Sequence, residues 1–293
     1  MENTKMSFAD LKKKSNIARL SEAMDSLDKK KSFKGDDDRY WKLTVDKAGT
    51  GHAVIRFLPA PDGEDLPFVR IWDHGFQGPG GWYIEKSLTT LDQKDPVSEY
   101  NSKLWNSGEQ DEARKQKRRL SYYSNILVVD DPANPENNGK VFLFKYGKKI
   151  FDKIQSAISP EFSTDEAFDP FNLWTGANFK LRAKNVAGYR NYDSSEFAAP
   201  GEIGADDAAR EELWNREYSL QSLVAPSEFK SYAELEARLN QVLGLDGPAA
   251  APTAAPAAPK AAAAPSLPTA EESLSDSDDG DDGLDFFNDL LQD

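Results

Sequence analysis

Asn178-Phe179-Lys180-Leu181-Arg182-Ala183-Lys184-Asn185-Val186 keeps a strict period of two: Phe179, Leu181 and Ala183 alternate with Lys180, Arg182 and Lys184. A pleated strand sends successive side chains to opposite faces, so the stretch reads as a half-buried β-strand. Similar runs lie on either side of it. Trp41-Lys42-Leu43-Thr44-Val45 and Ala53-Val54-Ile55-Arg56-Phe57-Leu58 flank a turn at Asp46 to Gly51, and Pro59 ends the second, which predicts a hairpin. Phe68 to Trp72, Gly81 to Ile84, Ser124 to Val129 and Lys140 to Tyr146 read as further strands, with the glycine-rich Gly75 to Gly81 as a hairpin loop. Helical signals are fewer. Ile150, Ile154 and Ile158 recur four apart, and Ser231-Tyr232-Ala233-Glu234 is a capping box opening a helix through Leu235, Leu239 and Val242 to Gly244. The fold class is therefore mainly β with peripheral helices. Short strands with a helix before the last pairings suggest a small Greek-key barrel, of which a five-stranded OB-type barrel is one option. Residues 89–116 have no clean period and are rich in charge, so they read as an insertion or long loop.

A net charge of -14 over 293 residues looks wrong for a nucleic-acid binder, because phosphates are met by Lys and Arg. The average conceals an asymmetry. Residues 246–293 hold eleven acidic side chains against Lys260 alone, whereas residues 1–20 carry five basic against two acidic and residues 112–153 ten against five. The chain divides accordingly. Residues 1–25 form a basic N-terminal segment containing Lys12, Lys13, Lys14 and Ser15, which suits either a solvated terminus or a binding arm. Residues 26–245 form the folded core. Residues 246–270 are an Ala/Pro linker with too little large apolar surface to offset the entropy of ordering it. Residues 271–293 interleave acids with Leu284, Phe286, Phe287, Leu290 and Leu291, five large apolar side chains that favour a partner-docking peptide over a merely solubilising tail. No apolar run reaches the roughly 20 residues a bilayer span needs, and the first residues lack the plan of a signal peptide, so a soluble, non-secreted protein is expected.

Reactive groups are sparse. Zero cysteines exclude disulfides, thiol nucleophiles and thiolate metal sites, and the two histidines, His52 and His74, lie far apart in sequence. Neither glycine-rich stretch matches a phosphate-binding loop. Two rivals stay open: a carboxylate-metal nuclease, whose ligands leave no linear signature, and an acidic scaffold whose basic patches only bind its own tail. Against both stands the alternation of cations with aromatics that single strands require, cations following phosphates and flat rings receiving bases. Lys117-Arg118-Arg119 precedes Tyr122-Tyr123. Phe142, Phe144 and Tyr146 alternate with Lys140, Lys145, Lys148 and Lys149, and Arg182 and Lys184 precede Tyr189-Arg190-Asn191-Tyr192. Core burial is the ordinary fate of such rings and the better reading for Phe142 and Trp174, whereas Tyr122, Tyr189 and Tyr192 carry polar tips suited to a wet cleft.

Trp41-Lys42-Leu43, Asp46 through Pro59, Asp73-His74-Gly75-Phe76, Trp82-Tyr83-Ile84-Glu85, Ser124 to Val129, Asp131-Pro132-Ala133, Gly147-Lys148-Lys149-Ile150 and Asn191-Tyr192-Asp193 together resemble the helix-destabilising single-stranded DNA-binding proteins of T-even-type bacteriophages. The resemblance covers nearly the whole chain. It implies an OB-type core binding single-stranded DNA with little sequence preference, during phage replication, recombination and repair in the cytoplasm of an infected bacterium. It implies no enzymatic activity. It also implies cooperative self-association through Lys12, Lys13, Lys14 and Ser15, a run echoed at Lys117-Arg118-Arg119-Leu120-Ser121, with Asn16 and Leu120 departing from the family's hydroxyl pattern. The acidic tail would cover the cleft when DNA is absent and recruit replication proteins such as polymerase, helicase loader and primase.

By the same resemblance, stacking and cation roles fall on Lys117, Arg118, Tyr122, Phe144 and Tyr192, with Trp105 standing in for a family tyrosine. Arg119, Tyr146, Lys148, Lys149 and Tyr189 join them as neighbours in the basic and aromatic runs. The family's zinc, held by one histidine and three cysteines, is expected to be absent. Only His74 remains, the cysteine positions falling on Ser87 or a neighbour, Asp95 and Ser98, and no other cofactor is implied. A hard cation at Asp92 and Asp95 is the alternative.

Overall fold

In chain order the strands are β1 (Tyr40–Trp41), β2 (Gly51–Phe57), β3 (Val69–Gly78), β4 (Gly81–Lys86), β5 (Arg119–Asp130), β6 (Val141–Tyr146), β7 (Ala177–Val186), β8 (Tyr189–Asn191) and β9 (Glu196–Pro200). The helices are α1 (Pro96–Ser107), α2 (Gln110–Lys115), α3 (Lys148–Ile158), α4 (Asp207–Asn215) and α5 (Tyr232–Leu243), joined by short 3-10 turns. The structure, a computed structural model, describes residues 37–162 and 164–245. Two units are distinguished, Met1–Tyr40 and Trp41–Asp293. In the first, the described turn has Arg39 Nε donating to Asp37 Oδ1 at 2.9 Å. The expected arm residues Lys12, Lys13, Lys14 and Ser15, the linker and the apolar tail residues lie outside the described residues.

Strand β7, the alternating stretch, pairs β2 along one edge and β8 and β9 along the other. Its Phe179, Leu181 and Ala183 are buried while Arg182 and Lys184 are exposed, as the period of two requires. The sheet runs β6-β5-β2-β7-β8, with β3 leaving β5, β4 leaving β3 and β9 leaving β7. These pairings are antiparallel, and the path does not close on itself among the described residues. The expected hairpin of residues 41–45 with 53–58 is not formed. The turn exists, with Asp46 N–H donating to the Thr50 carbonyl at 2.9 Å. Both edges of β2, however, are taken by β5 and β7, which leaves residues 42–45 no ladder to join.

Long-range pairing builds the main core from Ile55, Phe57, Ile126, Val128, Ile150, Ile154, Phe179 and Leu181. Phe57 sits at its centre, its ring 5.6 to 6.5 Å from those of Tyr146, Phe171, Phe179, Phe197 and Phe144. Phe57→Ala is therefore expected to cost about 3–5 kcal/mol in urea unfolding, because five rings cannot collapse into the vacated volume. A loss below about 1 kcal/mol would show that the ring is not central. Of the two aromatics assigned to the core from sequence, Phe142 packs against it half-buried. Trp174 does not: it is 49% exposed, with its Nε1–H donating to Asp207 Oδ1 at 2.9 Å. A tryptophan with a polar partner on a neighbouring helix gains little from full burial.

Residues 89–116, expected to be irregular, are largely helical. The signals were present: Asp95 caps α1 by accepting from Ser98 N–H, Pro96 opens it, and Gly108 closes it at φ 92°. Only Val97, Leu104 and Ala113 supply buried apolar side chains beyond Pro96, too few to write a 3.6-residue period. Of the two helices, α1 shares a second core with α5 through Phe76, Tyr83, Leu88, Val97, Leu235, Leu239 and Val242. The capping box of α5 forms as read, with Ser231 and Glu234 bonding reciprocally. The glycine-rich stretch expected as a loop does turn between β3 and β4, but Gly75 to Gly78 are paired residues of β3 and only Pro79 and Gly80 form the tip. It is glycine-rich because it lies against the end of α5: a Cβ on Gly80 would stand 2.0 Å from the Gln241 carbonyl.

Candidate nucleic-acid interface

The start of β5 organises the basic and aromatic residues. In antiparallel pairs, residues directly opposite project to the same face. Leu120 lies opposite Trp72, and Tyr122 opposite both Arg70 and Tyr146. Ser124 lies opposite Phe144. One face therefore carries Arg70, Trp72, Leu120, Tyr122, Tyr146 and Phe144 in a continuous band. The band passes from core to surface along its length. Phe144 and Tyr146 are 5% and 2% exposed and belong to the main core. The Tyr146 hydroxyl bonds to Ser124 Oγ at 2.9 Å, and burial pushes its pKa up. Tyr122 is also buried, at 6%, its ring stacked on Phe151 of α3 at 3.9 Å between centroids. It does not open onto a wet cleft, because α3 covers the face it was expected to present.

Beyond Tyr122 the band opens. Arg70 is exposed and Trp72 partly so. The guanidinium of Arg118 lies 4.2 Å from the centroid of the Trp72 ring. Arg119 donates from Nη2 to the Gly75 carbonyl, and Lys117 is exposed beside it. On α1, Trp105 is 39% exposed, with the Arg114 guanidinium of α2 5.6 Å from its ring centroid. The inserted helices thus bring a second tryptophan–arginine pair to the fold. Lys145 points to the opposite sheet face, where its Nζ stands 3.4 Å from Asp73 Oδ2.

A second group forms where α3 meets the β7–β8 hairpin. The hairpin turns through Ala187 and Gly188, with φ of 54° and 91°, the positive values a two-residue turn needs to match strand twist. Tyr189 follows at 59% exposure. Tyr192 is half-buried, one side packed on the main core. Lys153 Nζ donates to the Asp193 carbonyl at 3.0 Å. The Asp193 carboxyl is held below its ordinary range, first by the Asn191 side-chain hydrogen bond and then by the charges of Lys149, Lys153 and Lys184. Three lysines from two elements therefore converge on the turn that carries Tyr192. Lys148 forms an ion pair with Asp152 at 2.9 Å.

Of the residues expected from sequence, Lys117, Arg118 and Arg119 lie with the β5 group, Trp105 stands on α1 beside Arg114, and Lys149, Tyr189 and Tyr192 lie with the β7–β8 group. Tyr122, Phe144 and Tyr146 form the core beneath. Trp72, Arg70 and Lys153 escaped the sequence reading, because each acquires its neighbours only through strand pairing or helix packing. Adjacent Arg70 and Trp72 in a strand-like run were the one available signal. Arrangements of this kind offer flat cation–aromatic surfaces to bases and ammonium groups to phosphates. Among the described residues no three His, Cys, Asp or Glu side chains gather into a group that could hold a metal ion. His52 is exposed on β2 and His74 buried in β3. Asp92 is exposed, and both oxygens of Asp95 accept hydrogen bonds within the protein. No described helix is long and apolar enough to cross a membrane.

Residues 49–243 match the family described as gp32 DNA binding protein like. The Single-stranded DNA-binding protein of Enterobacteria phage T4 is 41% identical over 251 residues, 83% of each chain. Its namesake from Enterobacteria phage T2 is 41% identical over 252 residues, again 83% of each. A third, from Enterobacteria phage RB70, is 40% identical over 116 residues, which are 38% of this chain and 98% of that protein. Residues 49–243 take in β2 to β9, the inserted helices and both cation–aromatic groups, and the chain accordingly belongs to the gp32 DNA binding protein like family.

Proposed function

We propose that the protein binds single-stranded DNA without enzymatic action and with little sequence preference, cooperatively covering single strands during phage replication, recombination and repair. The observation that carries this reading is the pairing of Trp72 with Arg118 and Trp105 with Arg114, alongside the three lysines around the Tyr192 turn. Stacking onto such surfaces is indifferent to base identity, since every base has a flat face. The phage T4 and T2 relatives are single-stranded DNA-binding proteins, which supports the binding part of this reading. In this reading the sheet corresponds to an OB-type Greek-key barrel with residues 89–116 inserted. Residues 1–25 act in self-association, and the acidic residues 271–293 compete for the cationic surface and recruit replication proteins.

A salt titration of intrinsic fluorescence quenching tests it, comparing single-stranded with duplex DNA and the full chain with one ending at Gly247. Single strands should bind far better than duplex, and removing the tail should strengthen binding at low salt. Lys149→Ala, Lys153→Ala and Lys184→Ala together should flatten the log affinity against log salt slope by about 2, at roughly 0.7 per phosphate contact. If the shortened chain ignores single strands at low salt, the acidic-scaffold reading takes its place. Magnesium-dependent cleavage of the bound strand would instead favour a nuclease.

A further inference from the structure

His74 is 1% exposed in β3, and both its ring nitrogens face oxygen acceptors. Nδ1 lies 3.1 Å from the Gln116 carbonyl and Nε2 3.2 Å from Asp95 Oδ1. Asp95 is equally buried. Its Oδ1 also accepts from the Ser98 backbone N–H at 3.0 Å, and its Oδ2 from that of Leu88 at 3.1 Å. The Gln116 carbonyl in turn accepts from Asn101 Nδ2 at 2.9 Å. Four points of the inserted region are thus tied to one strand residue: the 3-10 turn at Leu88, both ends of the first turn of α1, and the segment leading into β5. Burial works to raise the Asp95 pKa, but the hydrogen bond to His74 and the two backbone N–H groups outweigh it and hold it below the ordinary carboxylate range.

Zinc bound by a histidine and three cysteines is what the resemblance to the T-even proteins implies at this point of the chain, and the residues present do not fit it. Structural zinc takes four nitrogen, thiolate or carboxylate donors arranged tetrahedrally. Here there is one imidazole and one carboxylate, each committed to the other. Ser87 and Ser98 offer only neutral hydroxyls, and Ser87 Oγ already bonds to Thr89 Oγ1 at 3.0 Å. No third His, Cys, Asp or Glu stands with them among the described residues.

We propose that His74 and Asp95 form a metal-free clasp, which holds the inserted helices on β3 and the Gln116–Arg119 segment in register without zinc. An acceptor–imidazole–carboxylate chain buried away from water replaces the coordination bonds, and the carboxylate doubles as the helix cap. Arg118 emerges two residues after Gln116, so the clasp also sets where the guanidinium meets Trp72. Neither metal content nor unfolding depends on DNA binding, so the inference can fail while the functional reading stands, and the reverse.

The test uses the full chain, incubated with equimolar zinc, desalted, analysed for metal and unfolded thermally with and without a chelator. The expected result is far less than one zinc per chain and an unchanged midpoint with chelator. About one zinc per chain, with a midpoint that falls on chelation, would overturn the proposal. In parallel, His74→Gln and Asp95→Asn should each lower the midpoint by roughly 5–15 °C, and the double variant by less than their sum. Midpoints equal to that of the parent would equally refute the clasp.

Discussion

A Trp72→Ala chain is expected to bind an unstructured oligonucleotide roughly 5- to 150-fold more weakly than the parent at fixed salt, the equivalent of one lost stacking platform. The reason lies in how Arg118 is held. Its guanidinium lies over the indole, 4.2 Å from the ring centroid, and a guanidinium held over an aromatic ring can offer its outer side to a base. Without the indole, the long side chain regains rotamers that binding must then remove. The number of phosphate contacts should hardly change, so the salt slope should stay within about one unit of the parent's. That contrasts with the lysine substitutions around Tyr192, which should change the slope more than the affinity at high salt. Oligonucleotide titrations at several salt concentrations separate the two groups. An unaltered affinity, with thermal stability also unaltered, would remove Trp72 and Arg118 from the interface.

Stability should fall as pH rises from about 5 to about 8, the reverse of the common acid-denaturation trend, because of Glu217. Burial and then the charge of Glu64 push its carboxyl up to about 8 from an ordinary 4.5. Glu64 is held by its own hydrogen bonds. It accepts from Ser219 Oγ at 2.7 Å and from Leu220 N–H at 3.2 Å. Next to Glu217, Tyr218 is fastened to the sheet by exchanging two hydrogen bonds with Asn125, at 2.8 and 3.0 Å. Between the unfolded and folded pKa values the folded chain holds a proton that the unfolded chain has released. The stabilisation is therefore complete below about pH 4.5 and is lost progressively as pH rises through about 8. After allowance for the solvent that reaches the group, the effect is on the order of 2–4 kcal/mol. Glu217→Gln keeps the shape without the charge. It should flatten the profile from urea unfolding between pH 6 and 9 and be the more stable chain at pH 9. Parallel profiles for parent and variant would show that Glu217 ionises normally.

Much of this was legible along the chain because it is local. The alternation at 178–186, the cap at Ser231, the helix of Ile150 and Ile154 and the turn at Pro79-Gly80 each depend on residues within a few positions of one another. So does the charge asymmetry that separates residues 246–293 from the core. The family likeness rested on longer identity and was found over residues 49–243. Less local features went unread. Residues 89–116 looked irregular because their helices bury few apolar side chains of their own and are stabilised by α5, more than a hundred residues later. Residues 42–45 looked like half of a hairpin, since nothing near them reveals that both edges of β2 are occupied.

The site divides the same way. Sequence alone determined which residue types were available: arginines and lysines interleaved with rings, no cysteine, and two histidines at positions 52 and 74. Tertiary structure decided which of those rings could meet a base, by laying α3 over Tyr122 and leaving Trp72 and Tyr189 at the surface. It also decided that His74 should face Asp95 across 21 positions of chain. The physical reason is that burial and charge pairing are properties of neighbours in space. A strand's period says which side a residue takes, and only the packing of another element says whether that side is wet.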